Sequence, residues 1–170
     1  GDFASHGTSI REQLENGKKL FRDKKTGTRF IAYFQSFTNT YGSVEFLEPK
    51  FLEAMEDDEV VAVSIATRPD CLQEEILDML SRLNAIKPVW VELGLQTIHP
   101  DSIRYIRRGY DNEVYLDAVR RLKAAGIEVV THIILGLPGE TPQMAARTTR
   151  FAVDAGTDGV KFHLLHVLRG

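Results

Sequence analysis

The sequence predicts an α/β protein on a parallel sheet, a partial TIM-type (β/α) barrel with about five strand–helix units. Three observations carry that prediction. Strand-like apolar runs begin near positions 29, 60, 89, 127 and 159, close to the roughly 31-residue period expected when about 250 residues are divided among eight units. A helix-like stretch separates each pair of runs, so neighbouring strands should be parallel. The central runs are also two-faced. In Val89–Gln96, Val89, Val91, Leu93 and Leu95 share one face, and Trp90, Glu92, Gly94 and Gln96 share the other. A strand of an open doubly wound sheet is covered on both faces and should be apolar on both. A carboxylate and an amide on one face instead suit the inner wall of a barrel that must hold something polar. An edge strand with one face in water is the alternative.

The elements follow in order. Ser9 with Glu12 forms a capping-box pattern opening a helix through Ile10, Leu14 and Leu20–Phe21, with Gly27 placed to stop it. Arg29–Ser36 is strand-like and runs into the polar turn Phe37–Gly42. Pro49 suits the first position of a short helix through Phe51, Leu52 and Met55. Val60–Ala66 is a strand bounded by Thr67-Arg68-Pro69-Asp70, and Asp70 can cap a helix with Leu72, Ile76, Leu80 and Leu83 on its apolar face. After the central strand come a short helix from Pro100 to Arg108 and a longer one, Asp111–Ala125, ended by Gly126. Strand Ile127–Leu135 puts Val129, Thr131, Ile133 and Leu135 on one side and Val130, His132, Ile134 and Gly136 on the other. It leads through Gly136–Gly139 to a helix capped by Thr141, with Pro142 in its first turn and Gly156 at its end. Gly159–Val167 is the last strand. Alternation then lines the inner face with Glu92, Gln96, His132, Lys161 and His163.

At 170 residues the chain is one domain's worth. A net charge of -3 argues against nonspecific electrostatic binding of nucleic acid by the surface as a whole, while leaving room for a local basic patch. No apolar run approaches the length of a membrane span and no signal segment opens the chain, so a cytoplasmic location without membrane contact is expected. One cysteine excludes an intrachain disulfide framework and any all-cysteine metal site within the chain. Cys71 lacks an identifiable activating base and reads as a small core or capping-turn residue. His163-x-x-His166 falls on a strand, where that spacing sends the rings to opposite faces, so it is not read as a chelate. Arg107-Arg108 and Arg120-Arg121 are most simply solvated helix charges.

Taken together, Thr67–Cys71, Glu92–Thr97 and Gly136–Gly139 resemble segments of the radical S-adenosylmethionine (SAM) superfamily. Phe37–Tyr41, Trp90–His99 and His163–Val167 resemble in particular its YhcC-like family, related to the elongator catalytic subunit and to oxygen-independent coproporphyrinogen oxidase. The resemblance covers essentially the whole chain. It implies that residues 1–170 are a partial radical SAM core domain, from an enzyme that reduces SAM at a four-iron (4Fe-4S) cluster to make a 5'-deoxyadenosyl radical.

The superfamily holds its cluster with three cysteines in a C-x3-C-x2-C-like run after the first strand. No such run is present here, so no metal ligand is expected in this chain. The resemblance places Gly1–Ala4 just after that loop, and the expectation is a fragment, itself inactive, without the first strand, the cluster loop and the C-terminal part. Further implied partners are SAM, an electron donor such as flavodoxin or ferredoxin, and, by analogy with the elongator subunit, a tRNA base. Self-association through open sheet edges is expected too.

Carried over position by position, Gln35, Ser36, Phe37 and Thr38 would meet the SAM amino group through backbone carbonyls and a hydroxyl. Arg108 would clamp the carboxylate, which a planar guanidinium suits. Gln96 would bond the ribose, and His132 stands where the oxidase has a ribose-contacting aspartate. Glu92 would partner Arg108 or the amino group, or else form a buried ion pair with Arg68 or Lys161. Arg68 belongs to the same expected set. Ile134, Gly136, Leu137 and Pro138 would form an apolar ledge for adenine. No catalytic residue is assigned. Two other classes stay open: a conventional barrel enzyme acting on a phosphorylated metabolite, and a noncatalytic SAM- or RNA-binding module.

Overall fold

The computed structural model describes residues 9–21, 27–35 and 38–166. Five strands form one sheet in the order β1 (Phe30–Phe34), β2 (Val60–Thr67), β3 (Val89–Gln96), β4 (Glu128–Leu135) and β5 (Gly159–Leu164). Every neighbouring pair is parallel, as helical crossovers require. Helix α1 (Ile10–Lys19) precedes the sheet, α2 (Val44–Met55) joins β1 to β2, and α3 (Glu74–Asn84) joins β2 to β3. Helices α4 (Pro100–Tyr105) and α5 (Asn112–Ala124) join β3 to β4, and α6 (Pro142–Asp154) joins β4 to β5.

The apolar strand faces lie under the helices. Val63, Ile65, Val89, Val91, Leu93, Leu95, Val129 and Ile133 are buried in one core with Phe51 of α2, Ile76 and Leu80 of α3, and Val119 and Leu122 of α5. Val91 and Leu93 therefore face away from the sheet's inner surface, as alternation requires.

The sheet is curled into a half-barrel. Flat strands about 4.8 Å apart would put β1 and β5 roughly 19 Å from each other. Yet Lys161 Nζ on β5 lies 3.0 Å from Tyr33 Oη on β1. Strong curvature brings the two outermost strands within side-chain reach over β3.

Several local features match the expectations. Ser9 and Glu12 close a reciprocal capping box on α1, and the Thr141 side chain accepts from the Met144 N–H at the start of α6. Gly126 and Gly156 follow α5 and α6 at φ 72° and 95°, conformations in which glycine carries no Cβ penalty.

Other features are corrections. Helix α1 stops at Lys19 with Leu20 as its C-cap, well before Gly27. Pro49 lies inside α2, which begins at Val44. Burial of Leu47, Phe51, Ala54 and Met55 on one stripe outweighs the hydrogen bond that proline removes. Asp70 caps no helix. It sits in a 3-10 turn, Pro69–Cys71, and accepts a two-pronged hydrogen bond from Arg68, while Gln73 is the N-cap of α3. Strand β1 ends at Phe34, so the expected strand end at Ser36 lies outside the described residues, as does the expected end of β5 at Val167. No helix among the described residues is long and apolar enough to cross a membrane.

Candidate functional site: a polar cleft on the inner face

The inner face is apolar at one end and polar at the other. Ile31, Ala62, Trp90 and Val130 lie towards the strand starts; Tyr33, Ser64, Glu92, His132, Lys161 and His163 lie further along, by the register of the strands. Of these, Tyr33, Glu92, His132 and His163 line a cleft of about 250 Å³ together with Gln35, Arg68, Gln96 and Tyr110. Ligand sites of parallel α/β barrels lie at this C-terminal end of the strands.

Glu92 is its centre. One carboxylate oxygen accepts from Ser64 Oγ at 2.8 Å. The other accepts from Tyr33 Oη at 2.9 Å, from Lys161 Nζ at 3.0 Å and from His132 Nε2. Tyr33, Glu92 and Lys161 come from β1, β3 and β5, the alternate-strand layering of a barrel interior. Burial pushes the Glu92 carboxyl up, but the hydrogen bonds from Lys161, Ser64, Tyr33 and His132 outweigh it and bring the pKa down to about 2. Of the partners the sequence left open for Glu92, Lys161 is the one in contact.

His132 is held on both sides. Nε2 meets Glu92, and Nδ1 lies 3.2 Å from His163 Nε2. Burial pulls its pKa below the ordinary value, against the pull of Glu92. Gln96 occupies the left-handed region at φ 67°, where the β3–β4 ladder slips between Gly94 and Gln96. A non-glycine residue held there is a strained position of the kind that clusters at ligand sites. A Cβ on Gly94 would stand 2.9 Å from Gln96 Nε2 and 3.2 Å from Tyr110 Oη, so the glycine lets both side chains close over β3. Tyr110 donates to the Gly94 carbonyl at 2.7 Å and lies between two guanidinium groups, Arg68 at 5.1 Å and Arg108 at 4.7 Å from its ring centre. Burial pushes its pKa up to about 12.

Gln35, Arg68, Glu92, Gln96 and His132 are thus brought together as the sequence implied, with Lys161 and His163 beside them. Thr38 is half-buried near the end of β1, and Ser36 and Phe37 lie outside the described residues. On the expected ledge, Ile134 is half-buried and Gly136 and Pro138 are exposed. Leu137 is only 3% exposed, so its side chain belongs to the interior and offers no ledge.

Arg108 is the main correction. It is 4% exposed, and all five of its N–H donors are engaged within the chain. They go to the carbonyls of Leu95, Thr97 and Tyr110, the last accepting twice, and to Asn112 Oδ1. A guanidinium so committed cannot clamp a ligand carboxylate without dismantling the β3–α5 connection, nor is it a solvated helix charge. Thr97, one of its anchors, donates to Glu140, tying this hub to the turn after β4. Arg68 is the arginine that borders the cleft. The sequence reading missed Tyr33 and Tyr110. Tyr33 was accessible to alternation, two residues before Gln35. Tyr110 arrives through Arg107 at φ 51° and Gly109 at φ 85°, a turn with no periodic signal.

The chain fits SAM better than it fits a cluster. The Gln35 and Gln96 amides at the rim, with the N–H groups of Arg68 beyond the two it gives to Asp70, suit a ligand with a carboxylate and a ribose diol. A four-iron cluster needs several thiolates. Cys71 is the chain's one thiol, half-buried and pushed up in pKa by burial, and no group of three or more metal-ligating side chains gathers among the described residues.

A curled parallel half-barrel with a polar cleft at its strand ends defines a barrel-type α/β domain. Comparison with known proteins is more specific. The family described as "Radical SAM superfamily" matches residues 6–152, and the chain belongs to it. YtqA of Bacillus subtilis is 43% identical over 171 residues, covering 100% of this chain and 53% of the relative. YhcC of Escherichia coli K12 is 36% identical over 170 residues, covering 99% and 54%. A tRNA uridine(34) acetyltransferase of Methanocaldococcus jannaschii is 36% identical over 84 residues, covering 49% and 15%. The solved structure of Methanocaldococcus infernus Elp3 superposes with a TM-score of 0.73 at 22% identity, covering 95% of this chain and 42% of that one, which shows the shared fold. The chain spans about half the length of the YtqA and YhcC relatives.

Proposed function

We propose that this chain is the SAM-holding part of a radical SAM enzyme, and that the whole protein reductively cleaves SAM to a 5'-deoxyadenosyl radical that abstracts hydrogen from its substrate. The observation that carries the reading is the cluster of Arg68, Gln96 and Gln35 around the Glu92–His132 pair, at the strand ends of a half-barrel in this family. The N–H groups that Arg68 does not give to Asp70 would hold the SAM carboxylate, and the Gln96 amide would bond the ribose. His132 flanks the ribose, and the exposed Gly136 and Pro138 with Ile134 give adenine an apolar surface. Glu92, already accepting from four side chains, orients His132 and Lys161 rather than contacting the ligand. SAM carries the radical chemistry; the protein's part is to bind, orient and exclude water.

Because the chain's residues do not fit the cluster, it must come from outside these residues, together with an electron donor such as flavodoxin or ferredoxin. No cleavage step is derived from this chain alone. The relative acting on tRNA makes a tRNA base the substrate we favour for the whole protein.

Titration calorimetry of the chain with SAM tests the reading. Binding should be saturable and weakened about tenfold or more by Arg68→Ala, since a charge-assisted hydrogen bond contributes about 1.5–3 kcal/mol, while Arg104→Ala on the outer surface has no effect. Stabilisation by inorganic phosphate but not by SAM would favour a conventional barrel enzyme instead. Anaerobic reconstitution with iron and sulfide should leave the chain colourless; a stoichiometric four-iron absorbance would overturn its division of labour.

A further inference from the structure

We propose that Glu92, His132 and His163 form a proton relay across the inner face, with His163 Nδ1 as the terminal base for a polar, proton-bearing ligand in the cleft. The inference goes beyond SAM binding and does not depend on it.

Hydrogen-bond direction runs one way through the three groups. Glu92 is a carboxylate and can only accept, so His132 Nε2 must carry the proton between them. His132 Nδ1 is then an acceptor, and the contact at 3.2 Å requires His163 Nε2 to donate. That fixes the tautomer of His163 and leaves its Nδ1 with a lone pair. Among the described residues, His163 Nδ1 has no hydrogen-bond partner, and the side chain is exposed beside the cleft. The rings are 4.7 Å apart at their centres. A buried carboxylate thus orients one imidazole, which orients a second that lines the cleft and keeps its other nitrogen without a partner among the described residues.

The step balances without an added reagent. A ligand heteroatom–hydrogen bond breaks and its proton bonds to His163 Nδ1. The proton on His163 Nε2 can then pass to His132 Nδ1, so that the positive charge is shared between the two imidazoles with Glu92 as its counter-charge. The ligand is left as the conjugate base, and the reverse passage returns the proton. No electron changes hands.

The surroundings set the direction. Tyr33 from β1, Ser64 from β2 and Lys161 from β5 all donate to Glu92, which keeps it a carboxylate and so a counter-charge rather than the proton's destination. Lys161 repels a cation on His132, as does a charged His163, and burial disfavours one as well. His132 is therefore neutral at rest and holds a received proton only transiently, returning it to His163. Arg68 and Tyr110 border the same cleft. A histidine serving only the packing would need neither the second imidazole nor an exposed terminus.

Nitrogen-15 NMR of the histidine rings in the 170-residue chain, titrated from pH 8 to pH 5, tests the relay without any ligand. Expected is a slowly exchanging low-field proton on His132 Nε2 and a nitrogen-15 shift of His132 Nδ1 that reports an accepted hydrogen bond. In His163→Gln, whose replaced residue is exposed, the low-field proton should persist and the His132 Nδ1 shift should move. In Glu92→Gln the low-field proton should be lost. A His132 Nδ1 shift unchanged by His163→Gln would overturn the proposal even if Glu92→Gln fails to fold. So would a low-field proton that survives Glu92→Gln.

Discussion

Arg108 and Glu92 are both buried and charged, and they do opposite things. Arg108 spends its whole fork on backbone carbonyls and one amide. An ammonium has three donors and a different shape, so Arg108→Lys should leave carbonyls of the β3–α5 connection unpaired. We expect a loss of about 2–4 kcal/mol in urea unfolding, and weaker SAM binding only as a consequence of the displaced Tyr110. Glu92 instead links stability to pH. Its folded pKa of about 2 lies below the ordinary 4.5, so the native state binds fewer protons than the unfolded one. Its contribution is complete above the unfolded value and disappears as pH falls from about 4.5 towards 2. The gap in urea midpoint between the wild type and Glu92→Gln should be widest at pH 6 and shrink through that window. A gap constant from pH 6 to pH 2.5 would mean that the four donors do not stabilise the ionised form.

Regular elements were legible because burial is periodic. Alternation in Val89–Gln96 and Ile127–Leu135 separates the core face from the polar face in the sequence itself, and the capping signals at Ser9–Glu12 and Thr141 form as hydrogen bonds. The rest was illegible where a local rule met a stronger tertiary demand. Pro49 marks a helix start by local preference, yet α2 extends one and a half turns ahead of it to bury Leu47 alongside Phe51. Asp70 is a good cap by type, but Arg68 takes both its oxygens. Arg108 sits in a run of exposed-looking charges, and only the fold of the following turn shows that carbonyls converge on it. Position 49 gives the element-scale prediction. The missing N–H at an interior helix position costs a bond to the Glu45 carbonyl, so Pro49→Ala should stabilise the chain by about 1 kcal/mol or more in chemical unfolding. A destabilising result would mean that proline's restriction of the unfolded chain outweighs that cost.

Across the whole molecule, curvature assembles the cleft and also leaves the sheet open. Among the described residues, β1 and β5 each pair on one side only, so both present a row of unpaired backbone donors and acceptors. The exposed apolar groups of the two edges lie on opposite faces: Ile31 and Tyr33 on the inner face of β1, and Phe162 and Leu164, 51% and 65% exposed, on the outer face of β5. A β5 edge meeting a β1 edge of a second copy would extend the parallel sheet in the sense it already curls. Such a contact is heterologous, so it closes only if the rotation allows and otherwise continues to higher species. We propose that the chain on its own self-associates this way, and that the association weakens when the edges are covered. Sedimentation velocity over a hundredfold concentration range should show a rising average mass, and Phe162→Lys, which places a charge on the exposed edge, should return it towards the monomer. The circular dichroism of Phe162→Lys should match the wild type, because that side chain is half in solvent already. A compact monomer at every concentration that also binds SAM tightly would mean the five-stranded sheet is self-sufficient and its edges are protected.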